Sequence, residues 1–575
     1  MIPDFKFHLA KLFSEAAEKI SPSAPEIHLE RPKLAAHGDY ACNIAMQLAK
    51  SLKKNPRQVA SEILAAFPAS EHVEKLEIAG AGFINVFIRK SSKQLFLRHI
   101  LEAREAFGKS DLGKGSKVQV EFVSANPTGP LHVGHGRGAA FGASLSNLLE
   151  AAGFKVSREY YVNDAGRQMD ILTLSTWLRY LELVGVDILF PPNAYQGSYV
   201  RDMAKLIHEA HGDRYKHPQG AVLFGIPVEM SNEDAYLDSL IANAKRLLGP
   251  DYHYIHDFVL NEQLGDCRND LLEFGVVFDT WFSEQSLFDS GMVEKAVRTL
   301  EEAGHIYIQD GAKWFRSTEF GDEKDRVVQR ENGLYTYFAS DIAYHLNKFE
   351  RSFDRVIDIW GADHHGYIAR VKGALTAAGA PAEKLEIALV QFAVLYREGK
   401  KASMSTRSGD FVTLRELRKE VGNDAARFFY VLRKCDQHLD FDLDLAKSQS
   451  NENPVYYVQY AHARIASVLE QWGGDQGILA EADASSLDAV HELELMQQLI
   501  DYPALIESAA KELSPHLIAF YLKDLASGFH SYYNASHFLV EDEAVKLARL
   551  CLIACVQQVI RNGLGLLGVS APEKM

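Results

Sequence analysis

The sequence predicts an α/β protein in which a parallel-sheet domain lies between a small N-terminal α/β domain and an all-α helical bundle. Between residues 118 and about 430, short apolar runs alternate with helical patterns, which is typical of a buried parallel sheet with crossover helices. Before residue 106, helical segments accompany an alternating strand pair over 76–88. From about residue 441 onward the pattern is almost entirely helical.

The chain has 575 residues, which is too long for one hydrophobic core. We place the N-terminal domain at 1–110, because the stretch that follows residue 106 is rich in Gly, Ser and Lys. The central domain then covers 111–440, and the helical domain covers 441–575. A polar, mostly helical region at about 190–280 is predicted to be an insertion in the sheet topology.

The composition is that of an ordinary globular protein, with 47% hydrophobic and 24% charged residues. We expect no signal peptide, no membrane-spanning stretch and hence no membrane partner. The five cysteines include no C-x-x-C pair, so neither a zinc site nor a disulfide framework is indicated, and the reducing cytoplasm is the expected compartment. A net charge of −16 opposes indiscriminate binding to nucleic acid but allows a specific RNA partner.

Within the central domain, four apolar runs have the length of buried strands. They are Val118–Ser124, Val156–Tyr161, Arg355–Trp360 and Ile387–Val394. Chemistry-bearing residues follow several of these runs.

The segment 125–136 reads Ala-Asn-Pro-Thr-Gly-Pro-Leu-His-Val-Gly-His-Gly and joins the first of these strands to a helix predicted over 138–152. The N-terminus of a helix has free N–H groups and a partial positive charge, so it binds phosphate. His132 and His135 can donate hydrogen bonds to a phosphate whose charge grows in a transition state. Gly134 and Gly136 allow close approach of a nucleotide. This combination favours nucleotidyl transfer from ATP.

Two other interpretations of this segment were weighed. Residues 134–139 fit the loose dinucleotide pattern G-x-G-x-x-G/A, but about ten residues, two of them prolines, separate the strand from the glycines. A turn carrying two surface histidines is the other interpretation. The strand before the motif, the helix after it and a second loop favour the ATP hypothesis.

The second loop, 397–410, follows the last predicted strand and holds small residues, hydroxyls and four cations, Arg397, Lys400, Lys401 and Arg407. Such a loop can close over a triphosphate and neutralise it. Taken alone, it is more typical of a solvated basic loop. Its pairing with the His-x-Gly-His element on one predicted sheet favours the functional interpretation.

With these motifs in place, the chain resembles the arginyl-tRNA synthetases, which are class I aminoacyl-tRNA synthetases. The resemblance covers nearly the whole chain and is carried by long strings in the same order. They are 37–41 (HGDYA), 80–85 (GAGFIN), 124–135 (SANPTGPLHVGH), 161–168 (YVNDAGRQ) and 562–569 (NGLGLLGV). It implies a Rossmann-like catalytic domain, an additional N-terminal domain that contacts tRNA and an anticodon-binding helical domain. It also implies L-arginine, tRNA(Arg) and ATP as substrates, Mg²⁺ carried with ATP, and a monomer.

The second class I motif departs from its usual Lys-Met-Ser-Lys, because residues 403–406 here read Ser-Met-Ser-Thr. The resemblance implies that Met404 and Ser405 contact ATP, while both motif lysines are absent. Some arginyl enzymes carry a lysine shortly before the first histidine instead, but that position is Gly129 here. Lys401 and Arg407 are the favoured cations for the pyrophosphate, with Lys400 as a third candidate.

Recognition of arginine needs acceptors for a planar guanidinium, which carboxylates provide bidentately. The resemblance implies that Glu284 and Asp341 have this role, with Tyr337 able to bond the same group, and that Ser124 and Asn126 hold the α-amino and carboxylate groups. Helix capping is the alternative interpretation of Asp341.

After the strand Arg355–Trp360, the resemblance implies a nucleotide contact by Gly361, Asp363 and His364. Adjacent side chains at a strand end diverge in direction, so no metal site is expected there. In the helical domain, Tyr456, Tyr457, Tyr460 and His462 offer groups that could read a single-stranded RNA loop.

Two alternative functions remain at this point. A small-molecule adenylyltransferase shares the His-x-Gly-His chemistry but needs neither flanking domain. A synthetase-like protein that binds tRNA without catalysis would explain the missing motif lysines, but His132, His135, Glu284 and Asp341 oppose it.

Overall fold

The structure is a computed structural model that describes residues 5–22, 25–32, 37–227, 232–402 and 412–575. It divides the chain into two compact units. One unit comprises 1–112, 151–153 and 448–575, and the other comprises 113–150 and 154–447. The candidate site lies in the second unit.

The N-terminal part of the first unit is a four-stranded antiparallel sheet, in the order β1-β2-β4-β3, with helices packed on it. Its elements in chain order are α1 (Phe5–Glu18), β1 (Leu29–Glu30), β2 (Tyr40–Cys42), α2 (Ile44–Leu52), α3 (Pro56–Ala66), β3 (Val73–Ala79), β4 (Phe83–Ile88) and α4 (Lys90–Ala103). The predicted alternating strand pair is therefore confirmed. It forms the β3–β4 hairpin.

The second unit begins with alternating strands and helices, as the sequence predicts. Its first elements are β5 (Lys117–Glu121), α5 (Val133–Ala151), β6 (Lys155–Val162), α6 (Arg167–Leu183), α7 (Ser198–His211), α8 (Gln219–Val222), α9 (Glu233–Leu248), α10 (Asp251–Glu273), β7 (Thr280–Ser283), α11 (Gln285–Asp289) and α12 (Met292–Glu302). Helices α7 to α10 pack with α6 around their own apolar core, so the predicted helical insertion between strands is confirmed.

The remainder of this unit contains the last sheet strands and two small sheets. Its elements are β8 (Ile306–Gln309), β9 (Ala312–Phe315), β10 (Arg326–Gln329), α13 (Tyr337–Glu350), β11 (Arg355–Gly361), α14 (Ile368–Ala377), β12 (Leu385–Val390), β13 (Ala393–Arg397), β14 (Lys400–Lys401), α15 (Leu414–Val421), α16 (Asn423–Val431), β15 (Leu439–Asp442) and α17 (Leu443–Lys447). The small sheets have the orders β10-β9-β8 and β14-β13-β15.

The central sheet has the order β12-β11-β5-β6-β7, and every pairing in it is parallel. In chain order this is 5-4-1-2-3, the arrangement of doubly wound, Rossmann-like sheets. The strand order reverses between β5 and β11. Ligands of such sheets bind in the crevice at the carboxyl ends of the strands beside that switch point.

Three boundaries differ from the prediction. The strand predicted over 118–124 ends at Glu121, because Val123 and Ser124 have φ values of 68° and 40° that no strand allows. The single strand predicted over 387–394 is two strands, β12 and β13, in different sheets. Helix α5 begins at Val133 rather than near Gly138, so the second histidine lies inside its first turn.

The C-terminal part of the first unit is helical, as predicted. Its helices are α18 (Pro454–Trp472), α19 (Val490–Lys511), α20 (His516–Ala535) and α21 (Glu543–Leu567). By length and composition, α21 is the one described helix apolar enough to cross a membrane, which corrects the expectation that no such stretch exists. In the structure 61% of its apolar window is buried, as in the core helix of a folded domain.

Candidate active site

The turn that follows β5 is strained and firmly held. Val123 is β-branched, and a positive φ is unfavourable for such a residue. The Ser124 hydroxyl accepts a 3.0 Å hydrogen bond from the Tyr161 N–H and donates a 2.9 Å bond to Glu121 Oε1. Backbone strain that is stabilised in this way clusters at functional sites. Here it places Ser124 at the switch point of the sheet.

His132 and His135 lie together at the start of α5, with ring centroids 3.7 Å apart. The His135 Nδ1 accepts from the His132 N–H at 3.2 Å, and the His132 Nδ1 accepts from the Gly134 N–H at 3.1 Å. Because both Nδ1 atoms are acceptors, each neutral ring carries its proton on Nε2 and can donate from there.

Burial keeps these imidazoles neutral. It lowers the pKa of His132, and burial together with the neighbouring His132 lowers the pKa of His135 to about 3. A neutral imidazole still donates an N–H, and it does so without the cost of desolvating an imidazolium. The pair therefore suits the stabilisation of developing phosphate charge.

The motif glycines have packing roles in the structure. A Cβ on Gly134 would lie 2.8 Å from the His132 ring, and one on Gly136 would lie 2.8 Å from the Tyr430 hydroxyl. Tyr430 is buried and donates to the Val133 carbonyl oxygen at 2.8 Å. Gly134 and Gly136 thus let the histidine pair and Tyr430 close on the backbone. Their contact with a nucleotide stays a prediction.

Gly129 is covered by the side chain of Tyr199 in α7. The Tyr199 hydroxyl would lie 3.1 Å from a Cβ at this position, and it donates to the Thr128 carbonyl oxygen at 2.6 Å. A long side chain at Gly129 would therefore require Tyr199 to move.

The second loop is anchored beside the histidines. Residues 403–411, with the predicted Met404, Ser405 and Arg407, lie outside the described residues. On the near side of the loop, Lys400 and Lys401 pair with β13 and are exposed. On the far side, the Val133 N–H donates to the Val412 carbonyl oxygen at 3.1 Å. The described residue that follows the second loop, Val412, is therefore in contact with the start of α5, and the contribution of Met404, Ser405 and Arg407 stays a prediction.

Arg137 is a site residue that the sequence reasoning missed. It is 1% exposed, and its guanidinium donates to the backbone carbonyl oxygens of Gln391, Gln437 and Lys434 at 2.8, 2.8 and 3.0 Å. Burial lowers its pKa to about 10, so it stays charged at neutral pH. Arg137 thereby ties the helix that carries His135 to the segment between β12 and β13 and to the segment between α16 and β15.

The end of β11 lies near the same helix. A Cβ on Gly361 would lie 2.4 Å from Asp363 Oδ1 and 3.7 Å from the ring of Phe392, and the same ring lies 3.5 Å from the Cβ position of Gly134. Asp363 and His364 are each 60% exposed at the side chain and face solvent. In the described part of the chain, no three His, Cys, Asp or Glu side chains form a cluster suited to a metal ion.

Glu284 lies at the carboxyl end of β7 and is 2% exposed. Its backbone N–H donates to the Val162 carbonyl oxygen at 2.9 Å, and its Oε1 accepts from the Ser340 hydroxyl at 2.7 Å. Burial, together with the nearby charge of Asp341, raises its pKa to about 7 against the opposing hydrogen bond from Ser340. Glu284 is thus a buried hydrogen-bond acceptor whose ionised form a cationic partner would stabilise.

Asp341 lies inside α13, one turn beyond its first residue, and Thr336 occupies the N-cap position. The capping interpretation of Asp341 is therefore wrong. Its carboxylate accepts from the Tyr367 hydroxyl, and burial raises its pKa while that bond opposes the rise. Tyr337 is 55% exposed, with its hydroxyl 3.0 Å from the Cβ position of Gly166. The tyrosine that holds Asp341 is thus Tyr367, which the sequence reasoning missed.

Asn126 reaches the same pocket through Asn163. Their side-chain amides lie 3.2 Å apart. With the amide of Asn163 oriented to satisfy both of its ends, its nitrogen donates to Glu284 Oε2 at 2.6 Å. The structure therefore brings together Ser124, Asn126, Glu284 and Asp341 at the carboxyl ends of β5 and β7 and the start of α13.

A doubly wound parallel sheet with this histidine pair at its switch point defines the catalytic domain of a class I aminoacyl-tRNA synthetase. The family model described as "tRNA synthetases class I (R), catalytic domain" matches residues 97–182 and 260–436. "Arginyl tRNA synthetase N terminal domain" matches 8–88, and "DALR anticodon binding domain" matches 458–575. The gap in the catalytic match covers most of the helical insertion.

Relatives named arginine--tRNA ligase match the chain over its full length. An arginine--tRNA ligase from Nitrosospira multiformis is 68% identical and one from Azoarcus sp. is 65% identical, each covering 100% of this chain and at least 99% of the relative. The chain belongs to the arginyl-tRNA synthetase family. The arginyl-tRNA synthetase structure from Thermus thermophilus has the same fold, with a TM-score of 0.76 at 24% identity over 99% of this chain and all of that one.

Proposed function

We propose that the chain attaches L-arginine to tRNA(Arg) in the crevice between β5 and β11, in two steps that require no covalent enzyme intermediate. The arginine carboxylate attacks the ATP α-phosphate to give arginyl-adenylate and pyrophosphate, and a terminal ribose hydroxyl of the tRNA then attacks the activated carbonyl. The observation that carries the proposal is the buried carboxylate of Glu284, close enough to Asp341 for that charge to raise its pKa.

Glu284 and Asp341 receive the guanidinium, and Ser124 and Asn126 hold the α-amino and carboxylate groups. Two carboxylates match the planar fork of a guanidinium far better than the single ammonium of lysine. The raised pKa values of both acids support this assignment, because a bound cation would offset the burial that raises both and the Asp341 charge that adds to the rise at Glu284. Tyr337, at the exposed rim, closes over the ligand.

The nucleotide lies along the start of α5, where the neutral Nε2–H groups of His132 and His135 donate to the phosphate oxygens. Gly134, Gly136, Gly361, Asp363 and His364 contact the nucleotide, and Met404 and Ser405 of the second loop are the further ATP-binding residues that we propose. Catalysis rests on positioning and charge stabilisation. Mg²⁺ enters with ATP, bound mainly by phosphate oxygens.

Lys401 and Arg407 replace the missing motif lysines as partners of the pyrophosphate. The hydrogen bond between Val133 and Val412 supports this role, since Val412 follows the loop and lies next to the helix start that carries His135. We expect Lys401→Met and Arg407→Met each to slow arginine activation, with Lys400→Met as the matched neighbour. Single-turnover formation of arginyl-adenylate measures this, and an unchanged rate in all three variants would remove the assignment.

The domain at 1–110 contacts the body of the tRNA, and the domain at 441–575 reads its anticodon. Tyr456 and Tyr460 are partly exposed and stack on each other at 5.7 Å, and Arg464 lies 4.6 Å from the Tyr460 ring centroid. Such a surface suits unpaired bases. His462 is buried against the Pro572 carbonyl oxygen, so it packs the C-terminal segment instead.

We further propose a monomer that acts in the cytoplasm, as the family resemblance and the five unpaired cysteines favour. Light scattering of the purified protein tests the oligomeric state. The decisive experiment is the charging of total bacterial tRNA with each amino acid separately, together with ATP–pyrophosphate exchange with and without tRNA. Charging by arginine alone is the expected result. Stoichiometric tRNA binding without charging would contradict the proposal and favour a non-catalytic tRNA-binding protein.

A further inference from the structure

Three carboxylates lie in one row beneath the candidate site. In the parallel sheet Asp358 of β11 pairs with Glu121 of β5, and Glu121 pairs with Glu159 of β6. Residues at the same level of adjacent strands point to the same face, so the three side chains are neighbours there. They are 0%, 7% and 0% exposed. A buried row of this kind requires cationic partners.

Helix α13 crosses this row and supplies the partners in two separate groups. Arg351 donates to both oxygens of Glu159 at 2.5 and 2.9 Å, and Tyr344 donates to the same carboxylate at 2.7 Å. One helical turn earlier, Lys348 donates to Glu121 at 2.5 Å and to Asp358 at 2.7 Å. Within the row, Arg351 and Tyr344 therefore contact only Glu159, at one end. Lys348 contacts Glu121 and Asp358, which connect to the pocket.

The Lys348 group forms a continuous hydrogen-bonded path between two walls of the pocket. At one end Glu121 accepts from the Ser124 hydroxyl, at 2.9 Å. At the other end Asp358 Oδ2 lies 2.9 Å from His345 Nε2. The His345 Nδ1 then lies 2.7 Å from the Asp341 backbone carbonyl oxygen.

Lys348 is itself fully buried, at 0% exposure. Burial alone would lower the pKa of its ammonium, but the two carboxylates outweigh that effect and raise the pKa, so it is charged. Buried ion pairs contribute little net stability compared with apolar packing, whereas their fixed directions specify geometry. The path therefore fixes the positions of Ser124 and Asp341, and its net contribution to the stability of the fold is the smaller effect.

We infer that Lys348, with Glu121, Asp358 and His345, is a positioning residue for arginine that holds the strained turn of β5 and the first turns of α13 at a fixed separation. This rests on the proposed roles of Ser124 and Asp341 in binding arginine. None of the four acts on the substrate directly. The ATP motifs on α5 and the second loop lie outside the path, so its loss should affect arginine and spare ATP.

The test uses Lys348→Met, which keeps the length of the side chain and removes its charge. In aminoacylation assays on the full-length protein, we expect kcat/KM for arginine to fall at least tenfold, while KM for ATP changes less than twofold. Arg351→Met is the matched control, because it removes the other cation that α13 donates to the same carboxylate row. We expect the melting temperature of Arg351→Met to fall by about as much as that of Lys348→Met, while its KM for arginine stays unchanged.

Two further variants make the outcome decisive. If Lys348→Met does not fold, His345→Phe cuts the path between Asp358 and Asp341 while keeping a ring, and the same selective loss for arginine is expected. Asp341→Ala in the same assay tests the premise. An impaired Asp341→Ala with a normal Lys348→Met or His345→Phe would overturn the inference alone. Equal arginine defects in Lys348→Met and Arg351→Met would overturn it too, and a normal Asp341→Ala would remove it together with the proposed pocket.

Discussion

The pKa of Glu284 leads to a pH dependence that can be calculated. With a pKa of about 7, the carboxyl group is mostly ionised at pH 8 and mostly protonated at pH 6. Only the ionised form offers a full charge to a guanidinium. Since kcat/KM reports on the free enzyme, its value for arginine should fall about tenfold from pH 8 to pH 6.

The perturbation is Glu284→Gln, which keeps the shape of the side chain and removes its titration. At pH 8 we expect kcat/KM for arginine to fall by about 30-fold to several thousand-fold, because a charge-assisted partner in a desolvated pocket is worth roughly 2–5 kcal/mol. Between pH 6 and 8, the wild type should also show a change in kcat/KM for arginine about tenfold larger than the change shown by the variant.

The same carboxyl group should affect stability with the opposite sign. Its pKa is raised from an ordinary 4.5 to about 7, so the contribution of this group to stability is most favourable below pH 4.5, falls between pH 4.5 and 7, and is level above that window. The ionised group then costs the folded protein about 3 kcal/mol at pH 8. Glu284→Gln should therefore have a higher melting temperature than the wild type at pH 8, and the difference should shrink towards pH 5.

The assay is initial-rate aminoacylation over a range of arginine concentrations, at saturating ATP and tRNA, in buffers from pH 6 to 8. The matched control is kcat/KM for ATP in the same buffers, which reports the titration of phosphates and of other side chains. Parallel arginine profiles for the wild type and Glu284→Gln would refute the reasoning. So would a melting temperature of the variant at or below that of the wild type at pH 8.

Three other outcomes follow from the site. Asp341→Ala should lower kcat/KM for arginine by tens to thousands of fold in aminoacylation assays, for the same energetic reason as Glu284. Gly136→Ala should destabilise the protein by about 1–3 kcal/mol in thermal melts, because the added methyl group would overlap the buried Tyr430 ring. Arg137→Met should lower both the melting temperature and the rate of pyrophosphate exchange, because it leaves three carbonyl oxygens without the donor that ties them to the helix carrying His135.

The glycine prediction has a matched control, and each of the three has an outcome that would contradict it. Gly138→Ala adds the same methyl group to the same helix where no atom lies within 4 Å, and it should be neutral or stabilising. Equal melting temperatures for the two alanine variants would contradict the packing argument. For Asp341→Ala, an unchanged KM and kcat/KM for arginine would refute the role. An Arg137→Met protein that melts and exchanges pyrophosphate like the wild type would show that the guanidinium does not organise the loop.

Much of the catalytic unit was predictable because its signals are local. A strand, a histidine motif and a helix follow one another over residues 118–152, and hydrophobic runs of strand length recur after them. The fold class is therefore confirmed, including the helical insertion. The strand ends were less predictable. The backbone at Val123 and Ser124 departs from the extended conformation through contacts with Glu121 and Tyr161 that no local pattern contains.

The residues missed at the site share one property, which is that their partners are remote in the sequence. Arg137 donates to carbonyl oxygens more than 250 residues away, and Lys348 reaches Glu121 across 227 residues. Tyr367, rather than Tyr337, holds Asp341 because the turn after β11 brings it to the start of α13. A lone arginine, lysine or tyrosine in a sequence carries no sign of such a contact.

The sequence by itself determined which chemical groups this protein has and the order in which strands and helices present them, since both follow from residue type and short-range periodicity. The tertiary structure decided the state of those groups. Burial at the carboxyl end of the sheet makes the histidines neutral donors and raises the pKa of Glu284 to about 7, while Glu121 and Asp358 keep Lys348 charged against the effect of burial. These properties depend on desolvation and on distances between segments far apart in the chain, so they exist only once the chain has folded.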